Sequence, residues 1–231
     1  MSKRLHRYMS FPEFVNMVQS KQLHLVDPLK WEDKYEGYLF RMLKSEKGKQ
    51  KILEASKKYT NDEEKVIEVL ENKVPKVRCQ CWTEKYNDIL MWNLYSYNNE
   101  AIMVSVKRKS LEELDEIELI DIEYDPEDTD IDSEIHKIIH DDGIYFREVF
   151  KYKRNIFGYE NEVRMIAKTS TYDKLTNTQK TYPVKLGDMG TFVENVLVHP
   201  AAPDWYVNTV KIFCEAHGVE FGGRSDIYEL R

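Results

Sequence analysis

Two glutamates separated by one residue, with an arginine at the same spacing beyond them, form the segment best suited to chemistry: Glu160-Asn161-Glu162-Val163-Arg164, which runs on into Met165-Ile166. On an extended backbone alternate side chains share a face, so Glu160, Glu162 and Arg164 are expected to point the same way. Carboxylates so placed raise each other's pKa unless a cation lies close, and Arg164 supplies one. A functional reading of these three side chains needs partners from elsewhere in the chain. The same residues also read as an edge-strand ion-pair ladder facing water, which needs no function.

Two further groups have partial signals. Arg7-Tyr8 places a planar cationic fork, able to hold a phosphate or a ribose, beside an aromatic ring on a first strand. Cys81-Trp82-Thr83-Glu84 and Met91-Trp92-Asn93-Leu94-Tyr95-Ser96-Tyr97 concentrate aromatic residues. Trp92 and Tyr95 stand three apart on one helix face, a spacing that more often packs inward, although stacked aromatics also suit a planar nicotinamide or base. There is no Gly-x-Gly-x-x-Gly, Walker loop, His-Glu-x-x-His or Gly-x-Ser-x-Gly, and nine glycines leave little for a phosphate-cradling loop. Three cysteines, Cys79, Cys81 and Cys214, make neither a disulfide framework nor a zinc knuckle, and no metal is expected.

The elements that must position these residues read as one α+β domain over 1–231, with mixed, mostly antiparallel sheets and flanking helices. Arg7–Met9 is a strand, Ser10 and Glu13 form a capping box opening a helix, and Gln22–Asp27 is a strand stopped by Pro28. A helical insertion follows at about 41–73, with a second start at Thr60–Glu63. Val77–Thr83, Ala101–Val106, Ile117–Tyr124, Tyr145–Tyr152, Glu162–Ala167, Thr181–Leu186 and Val193–Val198 are expected strands, with a small one near Ile227. Helices are expected at Asp88–Tyr97, Ser133–His140 and Asp204–His217. The βα alternation of a doubly wound sheet is missing. With 42% hydrophobic and 32% charged residues the chain folds. No run approaches the ~18 apolar residues of a membrane span and the start lacks a signal-peptide stretch, so the cytoplasm is the expected compartment. The net charge of -7 hides 13 acidic residues and no Lys or Arg between Glu112 and Glu134, leaving a mildly basic remainder. That segment is expected as a solvated strand edge with a loop at Tyr124–Asp128.

Taken together, Arg7-Tyr8, Leu23-His24-Leu25, Trp31-Glu32-Asp33-Lys34-Tyr35-Glu36, Cys81-Trp82-Thr83, Met91-Trp92-x-x-Tyr95 and Tyr159-Glu160-x-Glu162-x-Arg164 resemble the bacterial family catalogued as domain of unknown function 2971, across roughly the first 170 residues. The order of an early Arg strand, a middle strand with a hydroxyl and a late Glu-x-Glu is similar to the layout of the Arg-Ser-Glu branch of ADP-ribosyltransferases, with Cys81-Trp82-Thr83 where that branch has Ser-Thr-Ser. The resemblance implies NAD as substrate. Arg7 would bind its phosphate or ribose and Thr83 would support the site. Tyr95 would stack on nicotinamide, and Tyr8 and Trp92 would complete the cofactor-binding set. Glu162 would hold the nicotinamide-ribose hydroxyl while Glu160 orients a macromolecular acceptor, protein or nucleic acid, in a toxin or antiphage effector; with water as acceptor the enzyme is an NAD glycohydrolase. Two rival readings stand beside it. One is a non-catalytic protein or nucleic-acid binding module using the Lys-rich helices between Arg41 and Arg78. The other is a metal-free nuclease built on Glu160, Glu162 and Lys153.

Overall fold

A computed structural model describes residues 3–125, 130–175 and 179–229. Its centre is a nine-stranded sheet in which Thr181–Lys185, Gln22–Val26, Cys79–Thr83, Arg4–Ser10, Ala101–Lys107, Val193–Val198 and Phe221–Arg224 follow one another. Glu162–Ala167 pairs with the other edge of Cys79–Thr83, and Ile117–Asp121 pairs with Glu162–Ala167. Within this sheet all pairings are antiparallel except Val193–Val198 with Phe221–Arg224. The α+β class and single domain follow from this mixed sheet with helices on both sides.

Period-2 alternation decides what each face of the sheet meets. Along Ala101–Lys107, Ile102, Val104 and Val106 enter the main core, whereas Ala101 and Met103 join Tyr8, Met91, Trp92 and Leu197 in a second cluster under the Ile89–Tyr95 helix. On the main-core side, the Phe11–Ser20 helix opens at Ser10 with the expected capping box, Ser10 N–H donating to the Glu13 carboxylate. It packs Phe11 and Phe14 edge-on against Phe213 of the Asp204–Ala216 helix. Farther along, helices Tyr38–Met42, Glu46–Ser56 and Glu63–Lys73 join the Ile131–Ile138 helix. Ile52, Val66, Ile67, Leu70, Ile135 and Phe150 are buried together, so the 41–73 segment shares the main core.

Four expected elements differ. Tyr145–Tyr152 is not one strand but a 3-10 helix, Phe146–Phe150, followed by a short strand, Tyr152–Arg154. Ile117–Tyr124 breaks at Ile122, whose N–H is drawn to the Glu162 carbonyl; Glu123–Asp125 then pairs in parallel with Tyr152–Arg154. The last strand is Phe221–Arg224, ahead of Ile227, because Val193–Val198 offers a free edge there. The acidic run is the expected strand edge only in part: Ile117–Asp121 is an edge strand that pairs with Glu162–Ala167 alone among the described residues, but its carboxylates and their neighbours are met by cations, Arg108 pairing with Glu112 and Asp121, Arg147 with Glu118, and Lys151 with Glu123. Of the loop expected at Tyr124–Asp128, residues 126–128 lie outside the described residues.

Candidate active site

The site grows out of a fork in the sheet. One edge of Cys79–Thr83 is fully paired with Glu162–Ala167, from Glu162 opposite Thr83 to Ile166 opposite Cys79. The other edge is shared: His6 pairs at the Thr83 end and Val26 at the Cys79 end. Between them Gln80, Cys81 and Trp82 have no strand partner on that side, and unpaired backbone groups there must be satisfied by side chains or solvent. Arg7 donates Nη1–H to the Cys81 carbonyl at 3.0 Å, and Gln80 Nε2 donates to the His24 carbonyl at 3.1 Å. The fork opens into a cleft of about 560 Å³ whose lining includes Arg7, Tyr8, Thr83, Tyr95, Glu160 and Glu162.

These six residues, drawn from five elements of the chain, thus converge. Arg7 is half-buried, and the Cys81 carbonyl is its one hydrogen-bond acceptor among the described residues; no described acidic group lies within ion-pair distance. Burial lowers its pKa, and Cys81, Glu13 and Tyr95 offset that only in part. Tyr8 is fixed at both ends, its hydroxyl donating to the Lys85 carbonyl at 3.0 Å and accepting from Asp88 N–H at 2.9 Å. Its ring stacks on Tyr95, 6.4 Å between centroids, and Tyr95 remains 44% exposed toward solvent. Thr83 Oγ1 donates to the Glu160 carbonyl and accepts from Lys85 N–H, so it braces the turn that carries Glu160. Trp92 is a correction: it is fully buried, donates Nε1–H to Asn87 Oδ1 at 3.0 Å and meets Tyr8 edge-on, which makes it the backing of the Tyr8 wall and not a surface for a ligand.

The carboxylates also sit differently from expectation. Glu160 is not on the strand; it ends the 3-10 helix Asn155–Glu160, and Asn161, at φ 44° in the left-handed region, turns the chain into the strand at Glu162. The strand is interior, between two neighbours, with Glu162 and Arg164 only 3% and 0% exposed. A water-facing ladder is therefore excluded. Arg164 donates Nε–H to Glu162 at 2.7 Å, both terminal nitrogens to Glu36 at 3.0 Å, and Nη1–H also to the Phe150 carbonyl at 2.7 Å. Lys153 bridges Glu160 at 2.7 Å and Glu162 at 3.0 Å.

The result is an alternating buried chain, Glu36, Arg164, Glu162, Lys153, Glu160. Burial pushes the Glu162 carboxyl up, but Arg164 and Lys153 together bring it down to about 2, so it stays ionised. Burial raises the Glu36 carboxyl and repulsion from Glu162 adds to it; Arg164 and, more weakly, Lys153 oppose the rise without cancelling it. Burial alone would lower Lys153; Glu162 and Glu160 outweigh it and hold the ammonium above its usual range. Burial, with Glu162 adding to it, raises the Cys81 thiol, which argues against a thiolate nucleophile.

Three groups of this chain had weak or no signals in the sequence. Lys153 is brought in by the parallel pairing of Tyr152–Arg154 with Glu123–Asp125, a pairing that also seats Tyr124 with its hydroxyl accepting from Glu162 N–H at 2.8 Å. Glu36 lies 128 positions from Arg164 and nothing in its spacing pointed to that partner. Trp31 packs its ring over the Arg164 guanidinium at 4.7 Å. Among the described residues no helix is long and apolar enough to cross a membrane.

Fold and site define a class: an α+β protein with a forked-sheet cleft walled by a guanidinium that has no carboxylate partner among the described residues, by aromatic rings and by a buried, ionised carboxylate. Comparison with family models, with curated proteins and with solved structures finds no match to this chain.

Proposed function

We propose that the cleft binds NAD and that the protein is an ADP-ribosyltransferase-like enzyme, or an NAD glycohydrolase where water replaces the acceptor, within the family to which its motifs are similar. The observation that carries this reading is that Arg7, Tyr95 and Glu162 line one cleft, with Arg7 lacking a carboxylate partner among the described residues. A pyrophosphate supplies the anion that Arg7 lacks. As the bond between ribose C1′ and nicotinamide nitrogen breaks, its electron pair leaves with nicotinamide and positive charge develops on the ribose. Glu162, ionised and held by Arg164 and Lys153, stabilises that charge without reorganising. Glu160, the more accessible carboxylate, orients the acceptor, whose proton is released as the new C1′ bond forms.

Purified wild type and Glu162→Gln, incubated with NAD and a cell extract, test this by chromatography of free nicotinamide. Release by the wild type and a fall of at least about 100-fold in the variant is the expected result. Silence from a folded wild type would sink it.

A binding module is the second reading, and one observation favours it: both Glu162 oxygens are already engaged, Oε1 by Arg164 and Oε2 by Lys153, so a ribose hydroxyl must compete for them.

A further inference from the structure

Trp31 belongs to the run Trp31–Glu36, and the NAD-cleaving chemistry leaves it without a role. It sits just after the 3-10 turn Pro28–Lys30, is half-buried, and lines the cleft. The fully buried guanidinium of Arg164 lies over its ring, 4.7 Å from the centroid, and is itself fixed by Glu36, Glu162 and the Phe150 carbonyl. The cation is thereby held in place against the ring. Phe157, which also lines the cleft, lies beneath the Lys153 ammonium at 4.8 Å. Two cleft rings on this side are therefore each backed by a cation. The ring at the other wall, Tyr95, rests instead on the neutral Tyr8.

That difference sorts planar ligands by charge. A cation against a ring withdraws its π density, which weakens the ring's attraction for a second cation and leaves a neutral, electron-rich heterocycle the better stacking partner. A pyridinium ring is cationic and a purine is neutral. We propose that Trp31 is the platform of a purine subsite, distinct from the Tyr95 wall, so that the cleft takes a ligand with two planar rings, the purine on Trp31. The inference deepens the NAD reading and rests on it for the second ring only, since a purine nucleotide alone would occupy the Trp31 platform.

Isothermal titration of wild type, Trp31→Ala and Trp31→Phe with AMP, nicotinamide mononucleotide and NAD separates the two. AMP is expected to bind the wild type, to weaken about tenfold in Trp31→Ala, and to recover most of that in Trp31→Phe. Nicotinamide mononucleotide should stay within about twofold throughout. Intermolecular nuclear Overhauser contacts between adenine protons and the Trp31 indole, in the unsubstituted protein, report the same stacking should a variant fold poorly. If AMP binds and both pyridinium ligands do not, the subsite stands and the NAD reading falls. If NAD binds equally to wild type and Trp31→Ala, or nicotinamide mononucleotide weakens as much as AMP, the NAD reading survives and the subsite is overturned. Absence of binding by all three to the folded wild type overturns both.

Discussion

At the scale of single residues, Arg164 is the group on which the site depends most. It is buried, serves two carboxylates, and backs Trp31. Removing it leaves Glu36 and Glu162 buried without their shared cation, and breaking a buried pair this way costs about 3 to 5 kcal/mol. Arg164→Leu is expected to lose that much in urea unfolding. Arg164→Lys should recover little, because an ammonium cannot meet Glu36 bidentately and Glu162 at once. Arg7 should behave oppositely: with one hydrogen bond to the Cys81 carbonyl, Arg7→Met is expected to shift stability by about 1 kcal/mol while weakening a phosphorylated ligand about tenfold in titration calorimetry. Two pH windows follow from buried titrating groups. His6, held at Ser105 Oγ, is lowered from 6.5 to about 4 by burial and Arg4, so the folded state binds fewer protons and stability falls as pH drops from 6.5 toward 4. Glu162, lowered from 4.5 to about 2, contributes stability that is full above 4.5 and lost as pH falls toward 2, on the order of 3 kcal/mol. Glu36, which burial pushes up, has the opposite sign, so the readout is each variant's difference from wild type. His6→Gln should abolish only the upper window and Glu162→Gln only the lower; a shared window for both would contradict the assignment.

At the scale of elements, the geometry of the cleft depends on the junction between the Asn155–Glu160 turn and the Glu162–Ala167 strand. Asn161 makes it by adopting φ 44°, a conformation that Asn tolerates and β-branched residues resist. Asn161→Gly is expected to leave stability within about 1 kcal/mol, whereas Asn161→Val costs about 1 to 2 kcal/mol and loosens the grip of Lys153 on Glu160. Urea midpoints and a crystal structure of the Val variant check both halves. This junction also shows why the strand-face reading of Glu160, Glu162 and Arg164 was half right. Glu162 and Arg164 do share a face, as alternation requires, but Glu160 reaches the same cleft through a turn, a step that hydrophobic periodicity does not encode. The capping box at Ser10 and Glu13 was legible for the opposite reason: its two hydrogen bonds close within four residues and depend on nothing distant.

At the scale of the whole molecule, the helices between residues 38 and 73 fill the core over the site; they are not an appendage. Ile52, Val66, Ile67 and Leu70 pack with Ile135 and Phe150, and the Phe150 carbonyl in turn accepts from Arg164. Replacing Glu46–Lys73 by a short Gly-Ser linker should therefore abolish the cooperative thermal transition, which circular dichroism would report; retention of a sharp transition would show the helices to be dispensable. The sequence by itself determined the α+β class, most strands and helices, and the residue types of the cleft, because local periodicity, caps and turns are written over a few neighbouring positions. Tertiary structure alone decided that the Cys79–Thr83 edge forks between His6 and Val26, that Arg7 lies in that fork, and that Glu36 and Lys153 complete the charge chain around Glu162. Those contacts join residues up to 128 positions apart, and what selects them is burial: a carboxylate taken out of water must find its cations wherever the fold brings them, and no spacing rule along the chain says where that is.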